Sequence, residues 1–407
     1  MREDGASGGV REGRRTTQPR YDVAVIGAGP AGVTAASGAA RGGASVLLVD
    51  SSNRLGGAVT AAMHRSLCGL YSREPRDPLD VLNPGAQRDA IERMIAHAPS
   101  AVRPRQLGKA WVLEFPTAAW EAALGEIASA PGIDRVLETR VTSVRRDARR
   151  VTAIQMNGAA DRWIDINALI DCTGGGSVLQ LIGEDVMQPV DPSQSRMLGG
   201  FAVRLTGLTG DVEMLRIQVP YVLARAVADG KLPPLARFTV FSPGPQPGEG
   251  VCKLAVQAEG ISPGEVELFA QQIIEHLMRE VEGFAIARVV EQSPHALPRD
   301  GRCLRGKMQI TEDDVLTARR HGANAVHAWW PIERWDASQG PSYTYPPAGQ
   351  HYDIPDDALR SAVVENLFAA GSCLSATPGA AASLRVSGIC LATGDAAGRI
   401  AASMTHD

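Results

Sequence analysis

Cysteine is scarce in this chain and never paired. Its six cysteines (Cys68, Cys172, Cys252, Cys303, Cys373 and Cys390) lie far apart, with no C-x-x-C among them. That spacing excludes the common zinc and dithiol-redox motifs, so no metal is expected, and it fits reduced thiols in a cytoplasmic protein. Long apolar runs are missing too: none approaches the ~18 residues that a membrane span needs. The charge is nearly balanced, 41 basic against 45 acidic residues for a net −4, which gives no footing to nucleic acid or an acidic membrane. Only four of those basic residues are lysine, and the arginines are scattered, as genomic composition rather than function would scatter them.

At ~150 residues per domain, 407 residues suggest two or three folded units. A hydrophobic fraction of 44% with 21% charged residues describes an ordinary globular chain with ample core. Residues 1–20 carry Arg14 and Arg15 but no apolar stretch, so we expect a disordered tail rather than a targeting peptide.

Residues 21–50 carry the first functional signal. Val23 to Ile26 form a short, β-branched run of the kind found in buried parallel strands. Gly27-x-Gly29-x-x-Gly32 follows, with Pro30 near the first helical position, where its missing N–H costs nothing. Small residues continue through Ala35, Ala36, Ala39 and Ala40, and a second apolar strand, Val46 to Val49, ends in Asp50. Each part meets a need of dinucleotide binding. Gly27 permits the tight turn, Gly29 lets the backbone approach a pyrophosphate, and Gly32 allows close helix–strand packing. The helix N-terminus offers N–H groups to the phosphates, and Asp50 is spaced to accept hydrogen bonds from a ribose hydroxyl. Strand, turn, helix, strand and acid fall in register, which makes the signal strong. It serves FAD and NAD alike.

The next residues separate the two. Asn53-Arg54-Leu55-Gly56-Gly57, with Thr60 beyond, resembles the segment lining the flavin pyrophosphate in the glutathione-reductase-like superfamily. Residues 167–176 (NALIDCTGGG) resemble that superfamily's strand ending in Thr-Gly, preceded by a three-stranded meander with turns near Asp147 and Gly158. At the other end, Leu367 to Ala370 read as a strand, Gly371-Ser372 as the ribityl position, and Gly388 as the opening of a small-residue helix aimed at the flavin N1/C2=O edge. Arg302-x-x-x-Gly306, Trp329-Trp330-Pro331-Ile332-Glu333, Tyr352-x-Ile354-Pro355 and Arg385-Val386 add to the likeness. The chain resembles the FAD-dependent oxidoreductase family over roughly 21–180 and 300–405. It departs at Ser372, where Asp or Arg is frequent, and at Asp395, where Gln is common.

The resemblance implies an α/β fold: a Rossmann-type, three-layer FAD-binding domain with an inserted α+β substrate domain. We expect the FAD domain to be discontinuous (21–75, 131–184 and 360–407), with a helical and hairpin insertion at 76–130 and the substrate domain at 185–359. Helices are expected at 86–98, 117–130 and 264–281, the last amid strand-like pieces and Pro/Gly loops. The implied FAD contacts are Gly27, Gly29, Pro30, Ala31, Gly32, Asp50, Ser51, Arg54, Gly56, Gly57, Val141, Thr173, Gly174, Gly371, Ser372, Gly388 and Ile389. No second glycine fingerprint occurs, so electrons would enter from a small organic substrate and leave to oxygen, a quinone or a redox protein.

Four residues are candidates for the chemistry. His64 reads as a general base, a flavin attachment point, or a loop histidine bonded to backbone. Cys68 reads as a redox thiol or a small packing residue. His351 reads as a proton acceptor beside the flavin or as a surface-loop residue. Arg385 reads as a partner for a substrate carboxylate or for reduced flavin, or as half of a structural ion pair. Five aromatics between Trp329 and Tyr345 are a local excess in a chain only 5% aromatic, and could line a pocket or fill a core. The function expected is a dehydrogenase or oxidase passing hydride to flavin N5. The alternatives are a flavin monooxygenase or a non-catalytic FAD-binding assembly factor.

Overall fold

The computed structural model describes residues 20–157, 163–189, 196–322 and 325–404. The expected tail and the turn near Gly158 lie outside them, except Arg20, which opens the first strand.

That strand, Arg20–Ile26, owes its place to Val23, Ala24, Val25 and Ile26, which are buried on both faces, as a parallel strand covered by two layers requires. It pairs in parallel with Val46–Val49 on one side and Trp163–Asp171 on the other. Ile133–Val136 extends the sheet beyond Val46–Val49. On the far side Trp163–Asp171 leads antiparallel to Val151–Met156 and Val141–Arg146. Leu367–Ala369 then joins the upper half of Trp163–Asp171 in parallel, so the C-terminal part of the chain returns to the middle of the first sheet.

Two helices lock this return. Pro30–Arg41 follows the glycine turn, and Ser387–Ser403 lies against it with no side chain between the backbones. A Cβ at Gly394 would stand 2.0 Å from the Ala31 carbonyl oxygen, and one at Gly398 would stand 2.1 Å from that of Ala35. Only glycine fits at those two crossings.

A second, antiparallel sheet runs Val240–Pro243, Gly250–Val256, Gly199–Thr206, Arg288–Gln292. Alternation gives it two unlike faces. Phe201, Val203, Leu205, Cys252, Leu254 and Val256 are buried with the helices Val212–Ala228 and Pro263–Glu280. The opposite face carries Gly200, Ala202, Val251, Lys253 and Ala255, small residues around one lysine. Pro263–Glu280 starts where Ser262 and Glu265 form a capping box.

Val212–Ala228 is a helix absent from the expected set, and Pro220 lies inside it. An interior proline costs ~3 kcal/mol. Leu215, Val219 and Leu223 recur every four residues and are buried, and each contributes ~1.5–3 kcal/mol by leaving water. Burial outweighs the break. Among the described residues, no helix is long and apolar enough to cross a membrane.

Candidate functional site

The site's first half is built from backbone. Gly27 turns the chain at φ +102°, and a Cβ there would stand 2.4 Å from the Cys172 carbonyl oxygen. Gly29 caps the helix Pro30–Arg41 without a side-chain hydrogen bond, leaving Ala31 and Gly32 in an uncapped first turn. Gly57 reaches across to it, since a Cβ on Gly57 would be 3.0 Å from the Gly29 Cα. Gly56, beside it, has a left-handed φ of +100°. Gly174 and Gly175 border open space, where an added Cβ meets nothing within 4 Å.

Asp50 sits on the rim and accepts hydrogen bonds from the N–H groups of Ala28 and, at 2.7 Å, Ser52. The Thr139 N–H donates to the Asp50 carbonyl, which brings the strand opened by Val141 beside this loop. Buried Asp171 orders the Thr173 turn, accepting from the Thr173 N–H at 2.9 Å and its hydroxyl at 2.7 Å.

The third chain segment closes on the first. A Cβ on Gly371, just ahead of Ser372, would stand 3.0 Å from the Ala31 Cβ. The Gly388 N–H donates to the Cys68 carbonyl at 2.8 Å, and Ile389 lies against Gly69. Close backbones, an uncapped helix N-terminus and a rim acid form a cradle that side chains would fill, and it fits the diphosphate and ribose of FAD. Ser51 is exposed, and Arg54 is bound by Glu121 and, at 3.1 Å, by Glu291.

The second half is built from side chains. The antiparallel sheet meets the segment after the cradle at several points. Glu291 links Arg54 to Arg204 at 3.1 Å each. The Ser293 hydroxyl donates to the Ala61 carbonyl at 2.9 Å, and Met63 packs on Ala202 and Val251. Lys253 Nζ lies 3.0 Å from His64 Nδ1. Within Gly250–Val256 Lys253 is the one residue that is not buried, and its Nζ reaches the crevice where the sheet meets the segment after the cradle.

Three arginines share that crevice. Arg65 donates to the Pro243 carbonyl at 3.1 Å. Arg299 donates to the Leu198 and Gly199 carbonyls and lies 4.0 Å over the Trp335 ring. Arg385 stands 3.9 Å from Glu333, which accepts the Trp335 indole N–H at 2.7 Å and that of Trp330 at 3.3 Å.

These neighbours set the protonation states. The Lys253 ammonium and burial hold His64 well below the ordinary imidazole range. A protonated lysine only donates, so His64 Nδ1 accepts from it and Nε2 carries the ring hydrogen. Burial lowers Lys253 itself to about 8, with Arg299 and Arg65 adding to the effect. Burial opposes ionisation of Glu333, but Arg385 and the two indoles outweigh it and hold the carboxyl below its usual range. Burial first, then Glu333, pushes the Cys68 thiol up to about 12, which leaves it protonated and poorly nucleophilic. His64, Cys68 and Arg385, expected from the sequence, thus fall into one electrostatic unit.

His351 does not join them. Its ring lies 4.3 Å from that of His327, and both face Asp353, whose side chain is fully buried. One oxygen of Asp353 accepts from Arg320 and His327 at 2.9 Å each, and the other accepts the His321 N–H at 2.8 Å. Desolvation opposes this acid's charge, but those donors hold its carboxyl below the usual range. Although two imidazoles and a carboxylate are grouped here, the Arg320 guanidinium already occupies the oxygen that a cation would need.

Sequence reasoning missed Lys253, Arg65, Arg299 and the pairing role of Glu333. One signal was there for Lys253: a single charge inside the apolar run Val251 to Val256, in a chain with few lysines.

The parallel sheet and its glycine cradle define a Rossmann-type flavoprotein. Residues 22–407 match the profile of a family described as FAD dependent oxidoreductase, and the chain belongs to that family. It is therefore an enzyme that uses FAD. An uncharacterized protein from the nifH2 5′ region of Methanosarcina barkeri is 29% identical over 165 residues, covering 39% of this chain and 85% of that protein. Digeranylgeranylglycerophospholipid reductase 1 of Methanothermobacter thermautotrophicus is 55% identical over 51 residues, which span 12% of this chain and 13% of the reductase. Among solved structures, a geranylgeranyl bacteriochlorophyll reductase-like protein from Thermoplasma acidophilum aligns over 95% of this chain and 78% of its own, at 13% identity and a TM-score of 0.45.

Proposed function

We propose that the enzyme is a dehydrogenase or oxidase of a small organic molecule, with Lys253 as proton acceptor and His64 as the group that positions it. FAD, when bound, supplies the hydride acceptor at flavin N5. The observation that carries this reading is the 3.0 Å contact between Lys253 Nζ and His64 Nδ1 inside the crevice.

A C–OH or C–NH that gives up hydride from carbon must also lose its proton, and a neutral amine in reach can take it. Burial brings Lys253 to about 8, so a useful fraction is unprotonated near neutrality. His64 stays neutral and keeps its Nδ1 lone pair toward the lysine. One amine hydrogen is thereby engaged, and the nitrogen lone pair of the neutral lysine is left for the substrate. The sign follows. Below about 8, Lys253 is an ammonium and cannot accept, so turnover climbs with pH through that value and then levels.

The test is anaerobic mixing of the holoenzyme with panels of alcohols, hydroxy acids and amines, followed by flavin absorbance across pH. Bleaching whose rate rises through about pH 8 is the expected result. Consumption of NAD(P)H coupled to oxygen insertion, with no bleaching by substrate alone, would instead establish a monooxygenase.

A further inference from the structure

We propose that the substrate is a small organic carboxylate, held by Arg299 and Arg385 with Arg65 completing a positive wall opposite Lys253. This rests on the reading that substrate enters the crevice beside Lys253.

Charge balance carries the argument. Arg299 and Arg385 share one acid, Glu333, and even the Arg385 pair is stretched to 3.9 Å, while Arg65 adds its charge beside Lys253. Lys253, when protonated, adds a fourth cation, and its one side-chain hydrogen-bond partner among the described residues is a neutral imidazole. A cluster held together for structure alone would be closer to neutral, because buried charge without a counter-ion is costly. A negative charge on reduced flavin would offset one guanidinium. A surplus cation would still remain, and it calls for a second anion.

The donors left over point the same way. The Nε atoms of Arg65 and Arg385 are buried and have no hydrogen-bond partner among the described residues. Buried donors of this kind are rare unless something else completes them. Two further features define the anion. Arg299 is fixed by two backbone carbonyls and by stacking on Trp335, so its planar fork is preorganised for a planar partner. Gly200, Ala202 and Ala255 neighbour Lys253 on the same sheet face and present only small side chains there.

The test uses oxidised holoenzyme without reductant, so binding is read apart from turnover. Acetate, pyruvate and malonate are titrated at constant ionic strength, with acetamide as the neutral control. The readouts are the visible flavin spectrum and tryptophan emission. Saturable binding of a carboxylate but not of acetamide is expected, and R299M and R385M should each raise its Kd by at least about tenfold. R385K, which keeps the charge and loses the fork, should also weaken binding, and it serves as the second variant if R385M does not fold.

Carboxylates that act no differently from acetamide overturn the proposal. So do variants that bind as well as the parent, and inorganic phosphate that binds tighter than every carboxylate. If R385M only shifts the flavin midpoint potential and carboxylates do not bind, the arginines serve the flavin alone and the inference falls. Flavin bleached as fast by uncharged alcohols as by hydroxy acids would sink this inference and leave the dehydrogenase reading standing. Carboxylate binding with no bleaching by any substrate would sink that reading and leave the anion site.

Discussion

Two histidine clusters lean on the same C-terminal helix, and they are built in opposite ways. His64 lies beside Cys68, whose carbonyl accepts the Gly388 N–H, and the strand bearing His327 packs against the same helix. Around His64 the charges do not balance: Lys253 and three arginines stand against Glu333. Around His351 they do, for Asp353 is met by Arg320, His327 and a backbone N–H until no oxygen is left over. The contrast separates function from architecture. A saturated acid holds loops together, although the His351 Nε2 beside it has no hydrogen-bond partner among the described residues; around His64 the cations outnumber their acid, as the proposed anion requires.

The comparison can be broken most decisively at Lys253. K253M should lower kcat by roughly 10²–10⁴ with FAD content unchanged, measured by stopped-flow flavin reduction beside a flavin-to-protein absorbance ratio. Should H351N instead cause the larger loss, the proton acceptor belongs to the other cluster and the assignment reverses.

Next in size is a stability effect confined to the balanced cluster. D353N removes a charge with three donors, and hydrogen bonds to charged groups are worth ~1.5–3 kcal/mol each at most. Thermal denaturation at neutral pH should show a clear fall in Tm for D353N and little change in catalysis. The pH dependence has a definite sign. The folded-state value of Asp353 is depressed, so its stabilisation is present above the ordinary carboxylate range and is lost as pH falls through the folded value. Acid titration of Tm should therefore bring parent and D353N together at low pH.

A smaller effect sharpens the other side. Arg299 helps to lower Lys253, so R299M should move the rising limb of the kcat–pH profile to higher pH by a fraction of a unit. The least change is expected for C68A, because a thiol pushed up to about 12 takes no part in redox exchange near neutrality. Its rate should stay within about twofold of the parent, and the parent should be slow to react with iodoacetamide.

The two halves of the site were unequally legible from residue order. The cradle depends on backbone, and backbone demands appear as glycines at fixed local spacing, so Gly27, Gly29, Gly57, Asp50 and the Thr173-Gly174 turn were all readable. The charged crevice draws Arg65, Lys253, Arg299, Glu333 and Arg385 from five separate stretches, joined only by the tertiary fold. Arginine abundance hid two of them, Arg65 and Arg299. His64 and His351 looked alike for a related reason: what distinguishes them is a strand-borne lysine in one case and a buried aspartate in the other, both supplied by pairings of strands and loops. The helix Val212–Ala228 contains Pro220, a local signal against a helix interior, and the burial that offsets it comes from tertiary packing that residue order does not display.

The glycine crossings of Gly394 and Gly398 make the nucleotide cleft depend on a segment far along the chain. One wall of the nucleotide cleft is supplied near residue 30 and its backing helix only after residue 387, with the two touching main chain to main chain. A chain stopped short of residue 387 would therefore lack the helix that backs Pro30–Arg41, and the cleft would lose that support.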